Sequence, residues 1–79
     1  MIVNVLAFGI AKEIFGASSI TVELPGNSVA DLKISLEFSY PKLKALASYL
    51  VAVNNEYAGD EQVLDSRDEV AIIPPVSGG

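Results

Sequence analysis

At 79 residues the chain has room for one domain with one small core. Its 51% hydrophobic and 19% charged residues exclude a disordered or low-complexity class, and the lack of Cys and His excludes disulfides, Cys-ligated zinc and Ser–His or Cys–His hydrolysis. Ten acidic against five basic residues give a net charge of −5, with only Lys42 and Lys44 close together, so nucleic acid is not an expected partner.

The run from Ile2 to Phe8 is apolar at even and odd positions alike, which predicts a strand covered on both faces. Met1 to Ala11 has no basic leader and contains Asn4, so it reads as this first strand and not as a signal peptide. No stretch reaches the ~20 apolar residues of a membrane span, and a cytoplasmic location is the expectation. Ile10, Ala11, Ile14 and Phe15 have helical spacing, with Gly16 placed as a C-terminal cap. Ile20, Val22 and Leu24 alternate with Thr21 and Glu23, as in a strand nearer an edge.

Ser28-Val29-Ala30-Asp31 resembles a capping box, and Val29, Leu32 and Leu36 then recur on one helical face. Pro41 should stop that helix at Tyr40. Leu43, Leu46, Ala47 and Leu50 suggest a further short helical turn. Val51-Ala52-Val53 reads as a strand and Asn54-Asn55 as a hairpin turn, because Asn tolerates positive φ. Val70-Ala71-Ile72-Ile73 has the same doubly covered character as the first strand. The order is therefore strand, short helix, strand, helix, strand, strand. Two covered strands at opposite ends of the sequence place the termini side by side in a mixed sheet. One principal helix across it completes a two-layer α+β domain, the ubiquitin-like β-grasp. A ferredoxin-like split βαβ arrangement is the rival pattern.

The interior offers little chemistry. Gly9 and Gly16 fit neither the dinucleotide nor the P-loop spacing. Asp60-Glu61 and Asp68-Glu69 read as solvated turn charges, so no metal site is expected. Tyr40, Tyr49 and Tyr57 read as core or rim aromatics. The segment after Ile73 differs. Pro74 and Pro75 cannot donate ladder hydrogen bonds, so a β-grasp domain over 1–73 gives way to an extended, flexible Gly-Gly tail over 74–79. Six residues allow a reach of about 20 Å. The Gly78-Gly79 tip is bare backbone that fits a channel too narrow for side chains, and it presents a carboxylate.

The sequence VAIIPPVSGG at Val70–Gly79 resembles the C-terminus of the small subunit of molybdopterin synthase, in the ubiquitin-like sulfur carrier family. LAFGIAKEIFG at Leu6–Gly16, LEFSYPKL at Leu36–Leu43 and VAVNNEY at Val51–Tyr57 are similar to that family's first strand and helix, main-helix end and later hairpin. Ser66-Arg67 stands where the family commonly has Asp-Gly or a similar tight turn. The resemblance implies a sulfur carrier in molybdenum cofactor biosynthesis. Gly79 would be adenylated, converted to a thiocarboxylate, and would donate sulfur to cyclic pyranopterin monophosphate within a large catalytic subunit, building the dithiolene.

The residues agree with such a role. A terminal carboxylate, with pKa about 3.3–3.7, is ionised at neutral pH and is a poor electrophile until activated. The chain has no nucleotide-binding motif and no Cys, so ATP and Mg²⁺ would be used by a separate activating enzyme, and sulfur would come from a separate donor. This chain would bind no cofactor and would have no active site of its own. Its expected partners are the large subunit (two small and two large subunits by resemblance), the activating enzyme and the sulfur donor, with no membrane. Contacts to the large subunit are expected from Phe8, Pro74, Pro75, Val76, Ser77 and Gly78, with Lys12 at the rim. A thiamine-type sulfur carrier and a ubiquitin-like protein modifier remain alternatives, as does a structural β-grasp module with a dispensable tail.

Overall fold

The computed structural model describes residues 1–46 and 48–75. Among these residues five strands and three helices follow one another as β1 (Ile2–Ala7), α1 (Ile10–Phe15), β2 (Ser19–Glu23), α2 (Val29–Ser39), α3 (Pro41–Lys44), β3 (Leu50–Val53), β4 (Glu56–Ala58) and β5 (Glu69–Ile73). The strands form one mixed sheet in the order β2-β1-β5-β3-β4. β5 lies parallel to β1, with Val5 opposite Val70 and Leu6 opposite Ala71, and the other neighbours are antiparallel. The first and last strands therefore lie together inside the sheet, and the architecture is the β-grasp.

Local chemistry sets the elements. Ser28 caps α2 by accepting from the Asp31 N–H (3.2 Å), while Asp31 accepts from the Ser28 hydroxyl (3.0 Å) and Ser28 N–H (3.3 Å). These Ser28 bonds, the hydroxyl's first, hold the Asp31 carboxyl below its ordinary pKa. α2 ends at Ser39, as the proline at 41 requires, and Tyr40 stacks at a tilt on Phe15 with ring centroids 4.7 Å apart. Asn54 and Asn55, both at positive φ (52° and 69°), make the tight β3–β4 turn. Ser66-Arg67 lies in a turn closed without glycine. Asp65 accepts from the Arg67 N–H (2.9 Å), and the Asp65 N–H donates to Asp68 (2.8 Å).

The core lies between the sheet and a single helical layer. Val3, Val5, Val51, Val70 and Ile72 from the sheet meet Val29, Leu32 and Leu36 of α2, with Ala11, Phe15 and Leu43 closing the ends.

Three expectations are corrected. β1 and β5 are covered on one face only: Val3, Val5 and Ala7 are buried, whereas Ile2 is 57% exposed and Leu6 half-buried. The second apolar set fills the open side of the sheet, not a second core. Leu50 begins β3 and is exposed there, rather than completing a helical turn after α3; Ala47 lies outside the described residues. A fifth strand, β4, completes the Asn-Asn hairpin.

Candidate functional site

The open face of the sheet is an ordered apolar surface. The register aligns Leu6, Ala71, Ala52 and Tyr57 in one row across β1, β5, β3 and β4, and sets Leu50 beside Ile73 in the next. These residues alternate with the core set because successive side chains on a strand point to opposite faces. Leu6, Phe8, Ala52, Tyr57, Ala71 and Ile73 line one shallow concavity, with Asn55 and Glu69 at its margin. Tyr57 is 71% exposed and Phe8 49%, a large amount of uncovered aromatic surface for so small a chain. The Asn54–Asn55 turn is tied to the start of β5. The Asn54 N–H donates to the Glu69 carbonyl (2.8 Å), and the Glu69 N–H donates to the Asn54 side chain (3.0 Å).

β5 delivers the chain to one end of this face. Pro74 follows it directly and lies against Gly9, where an added Cβ would come within 3.3 Å of the proline ring. Gly9, at φ 55° and ψ −131°, makes the sharp passage from β1 to α1. That passage is pinned by the Ala11 N–H donating to the Phe8 carbonyl (3.0 Å) and the Lys12 N–H to the Gly9 carbonyl (3.1 Å). Phe8 and Pro74 are thus brought to the same corner, with Pro75 exposed beyond them. Lys12 is exposed on α1 and does not line the concavity. Val76, Ser77, Gly78 and Gly79 lie outside the described residues.

Leu6, Ala52, Ala71 and Ile73 were not singled out from the sequence as residues of an open face, and Tyr57 was read only as a core or rim aromatic. The signal was present: a run apolar at both parities, as Ile2–Phe8 is apart from Asn4, marks a strand with two apolar faces, and among the described residues one helical layer covers one of them. One carboxylate of each acidic pair has a structural partner. Asp60 pairs with Lys33 (2.7 Å), and Asp68 accepts from the Asn54 amide (3.0 Å). The three tyrosines divide as well. Tyr40 packs on Phe15, Tyr49 donates to Glu37, and Tyr57 alone reaches the open face. Burial, then the hydrogen bond to Glu37, raises the Tyr49 pKa.

Fold and site together define a ubiquitin-like β-grasp domain with an apolar open face at the exit of its last strand. The profile of the ThiS family matches residues 5–79, and the chain belongs to that family. It is 38% identical over 79 residues to the molybdopterin synthase sulfur carrier subunit of Arabidopsis thaliana, covering 98% of this chain and 82% of that one. Among solved structures it is similar to a putative molybdopterin converting factor subunit 1 from Pyrococcus furiosus. There the TM-score is 0.87 at 28% identity, over 96% of this chain and 99% of that one. It is also similar to small archaeal modifier protein 1 from Methanosarcina acetivorans, with a TM-score of 0.82 at 29% identity, over 99% of this chain and 96% of that one.

Proposed function

We propose that this chain is the sulfur carrier subunit of a molybdopterin synthase. The likeness to a relative bearing that name, running through nearly the whole chain, carries the reading. The apolar face beside the exit of β5 supports it, because a carrier without catalytic groups must be held by the proteins that act on its tail. The Gly79 carboxylate attacks the α-phosphate of ATP on an activating enzyme, releasing pyrophosphate and leaving an acyl-adenylate. A sulfur nucleophile from a separate donor then displaces AMP and leaves a thiocarboxylate. The loaded tip enters the large subunit and passes its sulfur to cyclic pyranopterin monophosphate; water takes the sulfur's place at the Gly79 acyl carbon and restores the carboxylate, and two loaded chains supply the two sulfurs of one dithiolene. Pro74 and Pro75 stiffen the base of the tail, Val76 to Gly78 thread the channel, and Phe8 belongs to the docked surface with Lys12 at its rim. The complex is the heterotetramer of two small and two large subunits, and it works in the cytoplasm.

The test is a single-turnover reaction of the sulfur-loaded chain with the large subunit and the pterin precursor. Dithiolene formation that disappears when one residue is added after Gly79 supports the role, and unchanged formation by the extended chain overturns it. A second reading, a protein modifier, draws on the likeness to the archaeal modifier protein. A ladder of larger covalent species on a denaturing gel of a cell lysate, lost in the Gly79 deletion, would favour it.

A further inference from the structure

The two edges of the sheet are treated differently. β4 is only three residues long and starts at Glu56, so it offers little to an incoming strand. β2 runs for five residues, Ser19-Ile20-Thr21-Val22-Glu23, with no proline, no lysine and no bulge. Its pairing with β1 uses the even positions: the Met1 amine donates to Leu24 (3.1 Å), the Leu24 N–H returns to Met1 (2.7 Å), and the Ala7 N–H donates to Ser18 (2.9 Å). By the same alternation the N–H and C=O groups of Ser19, Thr21 and Glu23 point away from β1, toward the open edge.

Beside that edge runs an apolar groove between β2 and α2, lined by Ile20, Val22, Ile34, Phe38 and Tyr40. Ile34 and Phe38 stand one helical turn apart and are 68% and 87% exposed, the latter the most exposed large hydrophobic among the described residues. The groove shares no lining residue with the concavity on the open face.

We propose that the β2 edge and the α2 face form a second docking site, which takes an extended basic–apolar segment of a partner protein as an added antiparallel strand. Charge selects this occupant. The chain carries −5, and Glu23 is the one ionised side chain among the lining residues, so an acidic segment is repelled and a cation is favoured opposite Glu23. A second copy of this chain fits less well: its own β2 would bring another −5 and set Ser19, not a cation, opposite Glu23. The register fixes the pattern. Partner residues opposite Val22 and Ile20 face α2 and are apolar. The residue between them, opposite Thr21, is unrestricted in side chain but must donate its N–H. The residue opposite Glu23 shares its face and is basic. Read from its N-terminus, the segment is basic, apolar, any, apolar.

The probe is a synthetic peptide, lysine–isoleucine–threonine–valine with glycine–serine flanks and blocked ends, titrated into the ¹⁵N-labelled full chain. The site predicts saturable amide shifts centred on Ser19, Thr21 and Glu23. Phe38→Asp, at a position too exposed to disturb folding, should weaken binding about tenfold or more, as loss of an aromatic anchor does. Proline in place of the peptide's threonine should abolish binding, and glutamate in place of its lysine should weaken it in the native chain more than in Glu23→Gln. Absence of saturable shifts up to millimolar peptide overturns the proposal. So do shifts confined to Leu6, Ala71 and Ile73, unchanged affinity in Phe38→Asp, or β2 shifts that follow protein concentration alone, the mark of self-association.

Discussion

Gly9 is where the fold positions the tail, and an alanine there tests that junction. Its φ of 55° with ψ of −131° belongs to glycine, and a side chain forced into such a conformation costs of order 1–3 kcal/mol. The new Cβ would also sit 3.3 Å from the Pro74 ring, so either β5's exit or the β1–α1 passage must shift. Gly16 is the internal control. It is left-handed (φ 75°) with nothing within 4 Å of an added Cβ, so Gly16→Ala carries the backbone term alone, about 1–2 kcal/mol. In a domain of this size each kcal/mol lowers the melting temperature by roughly 4–8 °C. Gly9→Ala should therefore melt roughly 5–20 °C below the native chain, and below Gly16→Ala. Calorimetry or circular dichroism on the two variants, Pro74→Ala and the Gly9→Ala/Pro74→Ala pair reads the contact directly. Removing the proline ring should restore about 0.5–1 kcal/mol to Gly9→Ala, as coupled neighbours do. Native-like melting of Gly9→Ala, or strict additivity in the pair, would refute the account of this corner.

Other consequences are independent. Leu36, fully buried between α2 and the sheet, should cost about 2–5 kcal/mol as alanine, seen as a lower urea midpoint. Ser28→Ala removes the cap of α2 and should cost about 0.5–2 kcal/mol. Because Ser28 depresses the Asp31 pKa in the folded chain, that carboxylate's stabilisation is present above its unfolded pKa and is lost as pH falls through the folded one. Asp31→Asn should accordingly flatten the acid limb of the stability profile below about pH 4, and an unchanged limb would count against it. Phe8→Asp, at a half-exposed position on the open face, should leave melting nearly unchanged while abolishing co-elution with a large subunit at micromolar concentration. Gly79→Ala and the Gly79 deletion should shift stability by no more than about ±0.5 kcal/mol, with sulfur transfer impaired in the first and lost in the second.

The legible parts of the sequence were those whose signal is local. The Ser28–Asp31 box, Gly16, Pro41 and the Asn54-Asn55 turn each dictate backbone geometry through a side chain a few residues away, and each stands where the pattern placed it. The adjacency of β1 and β5 followed from their shared apolar character. What escaped was which faces of the central strands are covered: the two-layer arrangement was legible, but it leaves one face of β1 and β5 open. An apolar run such as Ile2–Phe8 is the same string whether its second face meets a helix or a partner protein, and only the tertiary count of helices separates the two. The same ambiguity hid Leu6, Ala71 and Ile73 as surface residues. It also hid Ile34 and Phe38, which fall outside the Val29–Leu32–Leu36 stripe and carry no motif.

The proposed function rests on Gly79 as the residue that carries the sulfur. The most direct measurement is the intact mass of the chain after incubation with its activating enzyme, ATP, Mg²⁺ and a sulfur donor, followed by fragmentation of the C-terminal peptide. A sulfur-bearing Gly79 gives a gain equal to the exchange of one oxygen for one sulfur, located in the Gly79 carboxyl group and dependent on ATP. An unchanged mass, or sulfur placed on any other residue, would contradict it.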